Sequence, residues 1–141
     1  MTAEPEWEGG CLCGRIRYLA TGTPLRVAHC HCSMCRKSSG GVALTFAAFP
    51  IASVEWSYPP GLYESSKIAW RGFCPHCGST LSYNFRHRST EVLLAIGSFD
   101  HAERLPPAQY HSWTSERLGW AHLDPGLPGY ERWRHTPSVL A

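Results

Sequence analysis

Five segments of the chain alternate apolar and polar residues with a period of two, which is the pattern of half-buried β-strands. The segments contain several β-branched and aromatic residues, which are frequent in strands. They cover residues 15–19, 42–46, 53–58, 80–85 and 91–96. The pattern therefore predicts a mainly β fold.

Helix signals are few along the chain. The best is a short segment at 33–38, which begins with Ser33, a typical helix-capping residue, and ends at Gly40 and Gly41. After Phe99 the sequence becomes irregular, with large aromatic residues spaced among prolines. Because such residues dominate burial, we expect this last part to cover the sheet rather than extend it.

Composition narrows the class of protein. The chain has 141 residues, of which 43% are hydrophobic and 17% charged, so we expect one globular domain over 1–141. The net charge is only +2 and the basic residues form no run, so we expect no nucleic-acid partner. No segment approaches the ~18 apolar residues of a membrane span, and the amino terminus has no apolar signal region. These features predict a cytoplasmic protein with no membrane association.

Cysteine is the residue type that points to chemistry. The chain has seven cysteines, and every one belongs to a short group. The three groups are Cys11 with Cys13, Cys30 with Cys32 and Cys35, and Cys74 with Cys77. In a reducing compartment, cysteines at such spacings are typical of metal sites rather than disulfides. One alternative is that they are simply buried cysteines, which their clustering disfavours.

Seven ligands divide into four and three. The two pairs suit one closed zinc site with four thiolates, formed by Cys11, Cys13, Cys74 and Cys77. The triplet Cys30, Cys32 and Cys35 leaves the fourth position open, as catalytic zinc sites do. We therefore expect two zinc ions per chain, one structural and one catalytic. The alternative for the triplet is a second structural site, closed by a histidine or by a partner chain.

Histidines next to the triplet could in principle complete it. If 29–32 runs extended, His29 and His31 point away from the face that carries Cys30 and Cys32. The sequence therefore favours hydrogen-bonded or surface roles for both histidines. His76 and His111 remain more distant possibilities.

The three cysteine groups lie in motifs that together resemble the glutathione-dependent formaldehyde-activating enzyme family, also known as the centromere-protein-V-type domain. The motifs are GGCLCG at 9–14, CHCSMCRKSSG at 30–40 and FCPHCGST at 73–80. The resemblance continues through 97–100 and 106–113 and ends near 128. It covers nearly the whole chain.

The resemblance implies a fold, a metal content and an activity. The fold would be the zinc-bound β-sandwich shared with methionine-R-sulfoxide reductases, with few short helices. Cys11, Cys13, Cys74 and Cys77 would hold structural zinc, and the triplet would bind a second, looser zinc that meets the thiol substrate. The family's type activity is carbon–sulfur lyase chemistry, which joins glutathione and formaldehyde into S-hydroxymethylglutathione and reverses that step.

We therefore predict a zinc-dependent carbon–sulfur lyase that acts on a glutathione-like thiol and an aldehyde at Cys30, Cys32 and Cys35. Arg36 and Lys37 follow the triplet and could bind substrate carboxylates, although a solvated basic turn is the simpler interpretation. The sequence does not identify the proton donor. The main alternative is a non-catalytic zinc-binding interaction module. A sulfoxide reductase is a third possibility, but no cysteine lies outside the three groups to resolve an oxidised nucleophile.

Overall fold

The computed structural model describes residues 3–86 and 90–134. Across these residues it contains ten strands, one α-helix and four short 3-10 turns. The strands are β1 (Glu6–Gly10), β2 (Arg17–Thr21), β3 (Arg26–Cys30), β4 (Leu44–Pro50), β5 (Val54–Trp56), β6 (Gly61–Ser66), β7 (Ala69–Phe73), β8 (Thr80–Phe85), β9 (Glu91–Ala95) and β10 (Tyr110–Ser112). The helix α1 is Ser33–Ser39, and the 3-10 turns are Ile51–Ser53, Ile96–Ser98, Ala102–Arg104 and Thr114–Glu116. No helix in the described part of the chain is long and apolar enough to cross a membrane.

The strands form two sheets of unequal size. The small sheet has the order β1-β2-β5, and the large sheet has the order β10-β3-β4-β9-β8-β7-β6. Neighbouring strands are antiparallel except for β10, which runs parallel to β3. This architecture confirms the mainly β prediction, and each of the five predicted segments overlaps an observed strand. The likeness to methionine-R-sulfoxide reductases and the single domain over 1–141 stay predictions.

Two expectations about local structure need correction. The segment after Phe99 also extends the large sheet, because the backbone of β10 pairs with β3 through Tyr110 opposite Ala28 and Ser112 opposite Cys30. The helix does form where the sequence predicts it and ends at Gly40 with a left-handed φ of 77°. Its capping residue is Cys32 instead of Ser33, since the Cys32 sulfur accepts the backbone N–H of Cys35.

The alternation along β4 shows how the large sheet separates two cores. Ala47 and Phe49 pack against residues of the small sheet, including Tyr18. Phe46 and Ala48 point to the opposite face, where they join a cluster that contains all three cysteines of the triplet. One face of the large sheet is therefore covered by the small sheet, and the other face carries the triplet.

Candidate metal centres

The first candidate centre lies where two strand ends meet. Cys11 and Cys13 follow β1, and Cys74 and Cys77 follow β7. The four sulfur atoms all lie within 4.8 Å of one another, with Cys11 Sγ 3.5 Å from Cys13 Sγ. Tetrahedral zinc with Zn–S bonds of about 2.3 Å would hold its sulfurs roughly 3.8 Å apart. The four-thiol donor set therefore fits a closed zinc site.

Backbone amides surround this centre as they do in thiolate metal sites. The N–H of Ile16 donates to Cys11 Sγ at 3.3 Å, and the N–H of Cys77 donates to Cys74 Sγ at 3.4 Å. Gly78, at a φ of 79°, completes the turn that the sequence predicts there. These amide dipoles offset the negative charge that thiolates carry as ligands.

The second candidate centre is the triplet. Cys30 ends β3, Cys32 caps α1 and Cys35 lies in its first turn, so a strand-to-helix turn gathers the three side chains. Their sulfur atoms lie within 4.8 Å of one another, and all three residues are buried. Three soft sulfur donors with no fourth cysteine nearby fit a zinc ion that retains an open position.

Hydrogen bonds within the triplet favour one thiolate. The Cys30 and Cys35 thiols donate to the Cys32 sulfur, which lowers the pKa of Cys32 to about 2. The same interaction with Cys32 raises the pKa of Cys30 to about 11. This direction favours the thiolate form of Cys32, which is the form that binds a metal ion.

The neighbouring histidines point away from the triplet, as the strand alternation predicts. His29 is 2.6 Å from both the Thr45 hydroxyl and a carboxylate oxygen of Asp124. His31 Nε2 lies 2.8 Å from His111 Nδ1. Among residues 3–86 and 90–134, no histidine joins either group of cysteines, so neither these histidines nor the exposed His76 completes the triplet.

The tautomers of the histidine pair follow from a carbonyl contact. His111 Nε2 is 2.8 Å from the backbone carbonyl oxygen of Asp124, which can only accept, so Nε2 of His111 carries a proton. In the neutral ring Nδ1 then accepts, and His31 Nε2 donates to it. Burial, reinforced by the charge of Arg117, lowers the pKa of His31 to about 4, so this ring is neutral.

A cavity of about 340 Å³ opens beside the triplet. This volume is at the lower end of the ~300–1,000 Å³ of small-molecule sites. Cys30, Cys32 and Cys35 form part of its wall. Most of the remaining wall is aromatic or aliphatic, with large side chains from Phe46, Tyr83, Phe85, Trp113 and Trp133. A small molecule bound there would contact the sulfur atoms in a largely apolar environment.

The charged residues of the cavity differ from the pair that the sequence suggests. Arg36 and Lys37 do not line it, and Lys37 is exposed. The cations that do line it are Arg26, Arg71 and Arg134. Arg26 forms an ion pair with Glu91 at 2.8 Å, and the Arg134 guanidinium lies 5.0 Å from the centre of the Tyr110 ring.

Two polar residues close to the triplet have no signal in the sequence. Arg71, on β7, places Nη1 and Nη2 each 3.5 Å from Cys35 Sγ. Glu116 lines the cavity and accepts the backbone N–H of Ser33, the residue after Cys32, at 3.3 Å. Both residues are far from the triplet along the chain, and only the sheet and the covering segment bring them to it.

Comparisons with known proteins agree on one family. The family model described as "Glutathione-dependent formaldehyde-activating enzyme" matches residues 6–116. An uncharacterized lyase of Schizosaccharomyces pombe is 36% identical over 101 residues, which are 72% of this chain and 74% of the relative. A Halomonas elongata protein is named, provisionally, as a glutathione-dependent formaldehyde-activating enzyme. It is 27% identical over 128 residues, which are 83% of this chain and 80% of the relative. A crystal structure from Rhodobacter sphaeroides shares the fold, with a TM-score of 0.55 at 20% identity over 71% of this chain and 91% of that chain.

Proposed function

The chain belongs to the glutathione-dependent formaldehyde-activating enzyme family, and from that premise we propose that it is a carbon–sulfur lyase. The substrate would be a thiol–aldehyde adduct such as S-hydroxymethylglutathione. The observation that carries this proposal is the buried triplet Cys30, Cys32 and Cys35, which opens onto a cavity of small-molecule size. The lyase name of the Schizosaccharomyces pombe relative supports the same reaction class.

Zinc is the metal that suits both groups of cysteines. We assign a structural ion to Cys11, Cys13, Cys74 and Cys77, and a catalytic ion to the triplet. When bound at the triplet, the ion would supply a Lewis-acidic position that favours the thiolate form of an incoming thiol. Because Cys30, Cys32 and Cys35 line the cavity, they would hold the ion where a small molecule in the cavity could reach it.

The apolar walls of the cavity favour addition of the thiol to the aldehyde over addition of water to the aldehyde. Trp113 and Trp133 pack against the cluster that contains the triplet and line the cavity. An apolar enclosure of this kind excludes water and strengthens electrostatic interactions inside it. The covering segment after Phe99 therefore contributes to the site as well as to the fold.

Glu116 is the residue we propose to carry the proton. In adduct formation its carboxylate takes the proton of the substrate thiol, and the resulting thiolate attacks the aldehyde carbon to form the C–S bond. The carbonyl oxygen receives the displaced electron pair and takes the same proton back from Glu116. The net reaction is RSH + H₂CO → RSCH₂OH, and breakdown of the adduct is the reverse. The position of Glu116 on the cavity wall, against the N–H of Ser33, supports this role.

Cations at the cavity suit a substrate with carboxylates, as glutathione has. Arg134 lines the cavity and stacks on Tyr110, so its guanidinium is held where a carboxylate could bind it. Arg36 and Lys37 lie outside the cavity wall, and their part in substrate binding stays a proposal.

We also propose that the protein works in the cytoplasm. All seven cysteines are free thiols, which is the state that a reducing compartment maintains and that metal binding requires. The proposed partners are small molecules, a glutathione-like thiol and an aldehyde, in line with the family description.

Exchange NMR tests the proposed function directly. The rate of interconversion between glutathione with formaldehyde and S-hydroxymethylglutathione should rise above the spontaneous rate when zinc-loaded protein is added. Cys35→Ser should abolish the increase. Arg86→Gln is the matched control, since Arg86 stacks on Trp70 and does not line the cavity. An unchanged exchange rate with both metals bound would contradict the lyase assignment and favour a zinc-binding interaction module.

A further inference from the structure

We propose that Arg71 is a positioning residue that holds the Cys35 sulfur and offsets the charge of the triplet, so that the site accepts an anionic fourth ligand. The inference rests on the proposed function, because the anion in question is the thiolate of the substrate. Arg71 itself need not touch the substrate.

Arg71 contacts the sulfur atom of Cys35 through both terminal nitrogens of its guanidinium. Both terminal nitrogens of the guanidinium lie 3.5 Å from Cys35 Sγ, and Nη1 also donates to the Ser38 hydroxyl at 3.1 Å. The guanidinium lies 4.9 Å from the centre of the Tyr83 ring. Sulfur, hydroxyl and ring together fix the orientation of the side chain, and two charge-assisted N–H groups point at a metal ligand.

Burial of this arginine calls for a functional reason. Arg71 is only 7% exposed, and its Nε has no hydrogen-bond partner among the described residues. Across residues 3–86 and 90–134 it forms no ion pair with a carboxylate, whereas the more exposed Arg17, Arg26 and Arg86 each do. A buried cation without a carboxylate is costly unless another anion compensates it. The anion that the geometry offers is the thiolate of the triplet.

Counting charges shows what Arg71 changes. A divalent ion with three thiolates has a net charge of minus one. A substrate thiolate would make the net charge minus two. In a buried site each added negative charge is costly, because the low dielectric screens it poorly. The guanidinium of Arg71 restores one positive charge next to Cys35. It therefore favours an anionic fourth ligand over a neutral one.

Arginine suits this role better than lysine. A lysine ammonium could approach the Cys35 sulfur, but it has no planar fork to keep two donors on the sulfur while stacking over Tyr83. Arg71→Lys should therefore retain the charge but lose part of the orientation. This difference separates the charge of the residue from its geometry.

Ligand titrations of cobalt-loaded protein test the inference. The visible cobalt spectrum of the triplet site is followed while glutathione, azide or neutral imidazole is added to wild type, Arg71→Gln, Arg71→Lys and the control Arg86→Gln. In Arg71→Gln, the affinity for the two anions should fall about tenfold to a hundredfold, the range of a lost charge-assisted hydrogen bond. Its affinity for imidazole should stay at the wild-type value. The affinity of Arg71→Lys for the two anions should lie between those of wild type and Arg71→Gln. The affinities of Arg86→Gln should match those of wild type.

The three ligands distinguish this role from a merely structural one. Equal losses for anions and imidazole would mean that Arg71 only shapes the site, and unchanged affinities would mean that it does not act there; either result overturns the inference.

If Arg71→Gln does not fold, Arg71→Lys decides, since wild-type affinity for both anions in that variant would exclude the forked geometry. An azide response that depends on Arg71, in protein that ignores glutathione, would support the charge role while overturning the proposed substrate. Turnover that is normal in every Arg71 variant would overturn the inference and leave the lyase function intact.

Discussion

Cys13 and Cys74 bring their sulfur atoms to 3.8 Å from each other although 61 positions separate them in the sequence. Cys13 follows β1 of the small sheet, and Cys74 follows β7 of the large sheet. A metal ion held by both residues would therefore fasten the two sheets to each other. The triplet, in contrast, gathers cysteines from a single short stretch of chain.

This difference predicts unequal effects of cysteine substitutions on stability. Cys74→Ser should unfold or insolubilise the protein, because structural zinc can supply about 10–16 kcal/mol of binding free energy coupled to folding. Cys35→Ser should lose one zinc per chain with little change in Tm, because its site closes no long loop. Metal analysis, far-UV circular dichroism and thermal melting measure these effects. A soluble Cys74→Ser protein with an unchanged spectrum and a cooperative melt would refute the structural role, and equal damage in both variants would refute the division into four and three.

Removal of metal should proceed in two stages. A chelator added in steps should take the ion from the triplet first, since three protein ligands hold it instead of four. The far-UV spectrum should change little at that stage and collapse only when the second ion leaves. Chromophoric chelators and circular dichroism can follow both events in one titration. Simultaneous loss of both ions together with the fold would show that the triplet site is structural as well.

Substitution of Glu116 tests the proposed proton transfer. Glu116→Gln retains an acceptor for the Ser33 N–H but cannot take the thiol proton, so kcat should fall about 10²–10⁴-fold, the usual contribution of a general acid–base. The affinity for thiol at the cobalt site should stay near wild type. Glu55→Gln, an exposed change on β5, serves as the control. A variant with wild-type kcat would show that another group carries the proton.

The neutral state of His31 predicts a pH dependence of stability. Its pKa is lowered from 6.5 to about 4 in the folded protein, chiefly by burial, so the unfolded chain takes up the proton first as the pH falls. The contribution of His31 to stability is therefore present above about pH 6.5 and is lost as the pH falls toward 4. NMR titration of the His31 ring, assigned with a His31→Gln variant, measures the midpoint. A midpoint near 6.5 would contradict the buried pairing with His111.

Of the ten strands in the described part of the chain, the sequence identified five at least in part. β2 and β9 lie in segments whose apolar residues alternate or cluster clearly, and the sequence identified both. β6 is an edge strand of the large sheet with largely exposed residues, so it lacks a buried face to produce the pattern. β10 has only three residues, and its pairing with β3 depends on contacts that no local pattern reveals.

The cysteine groups could be predicted because ligand spacing is a local property. Cys30, Cys32 and Cys35 lie within six positions, and their meeting requires only one turn. Arg71 reaches Cys35 from a distant strand, 36 positions along the chain, and Glu116 approaches Ser33 from 83 positions away. Such residues carry no spacing signal, so the sequence pointed to the adjacent Arg36 and Lys37 instead.

The visible spectrum of cobalt-substituted protein during addition of glutathione tests the central claim most directly. If the triplet holds a metal with an open position, glutathione should alter the ligand-field and sulfur-to-metal bands in a saturable way. Protein carrying Cys35→Ser should lack the response, and Arg86→Gln should retain it. A spectrum that ignores glutathione while both metal sites of the wild-type protein remain loaded would contradict the account.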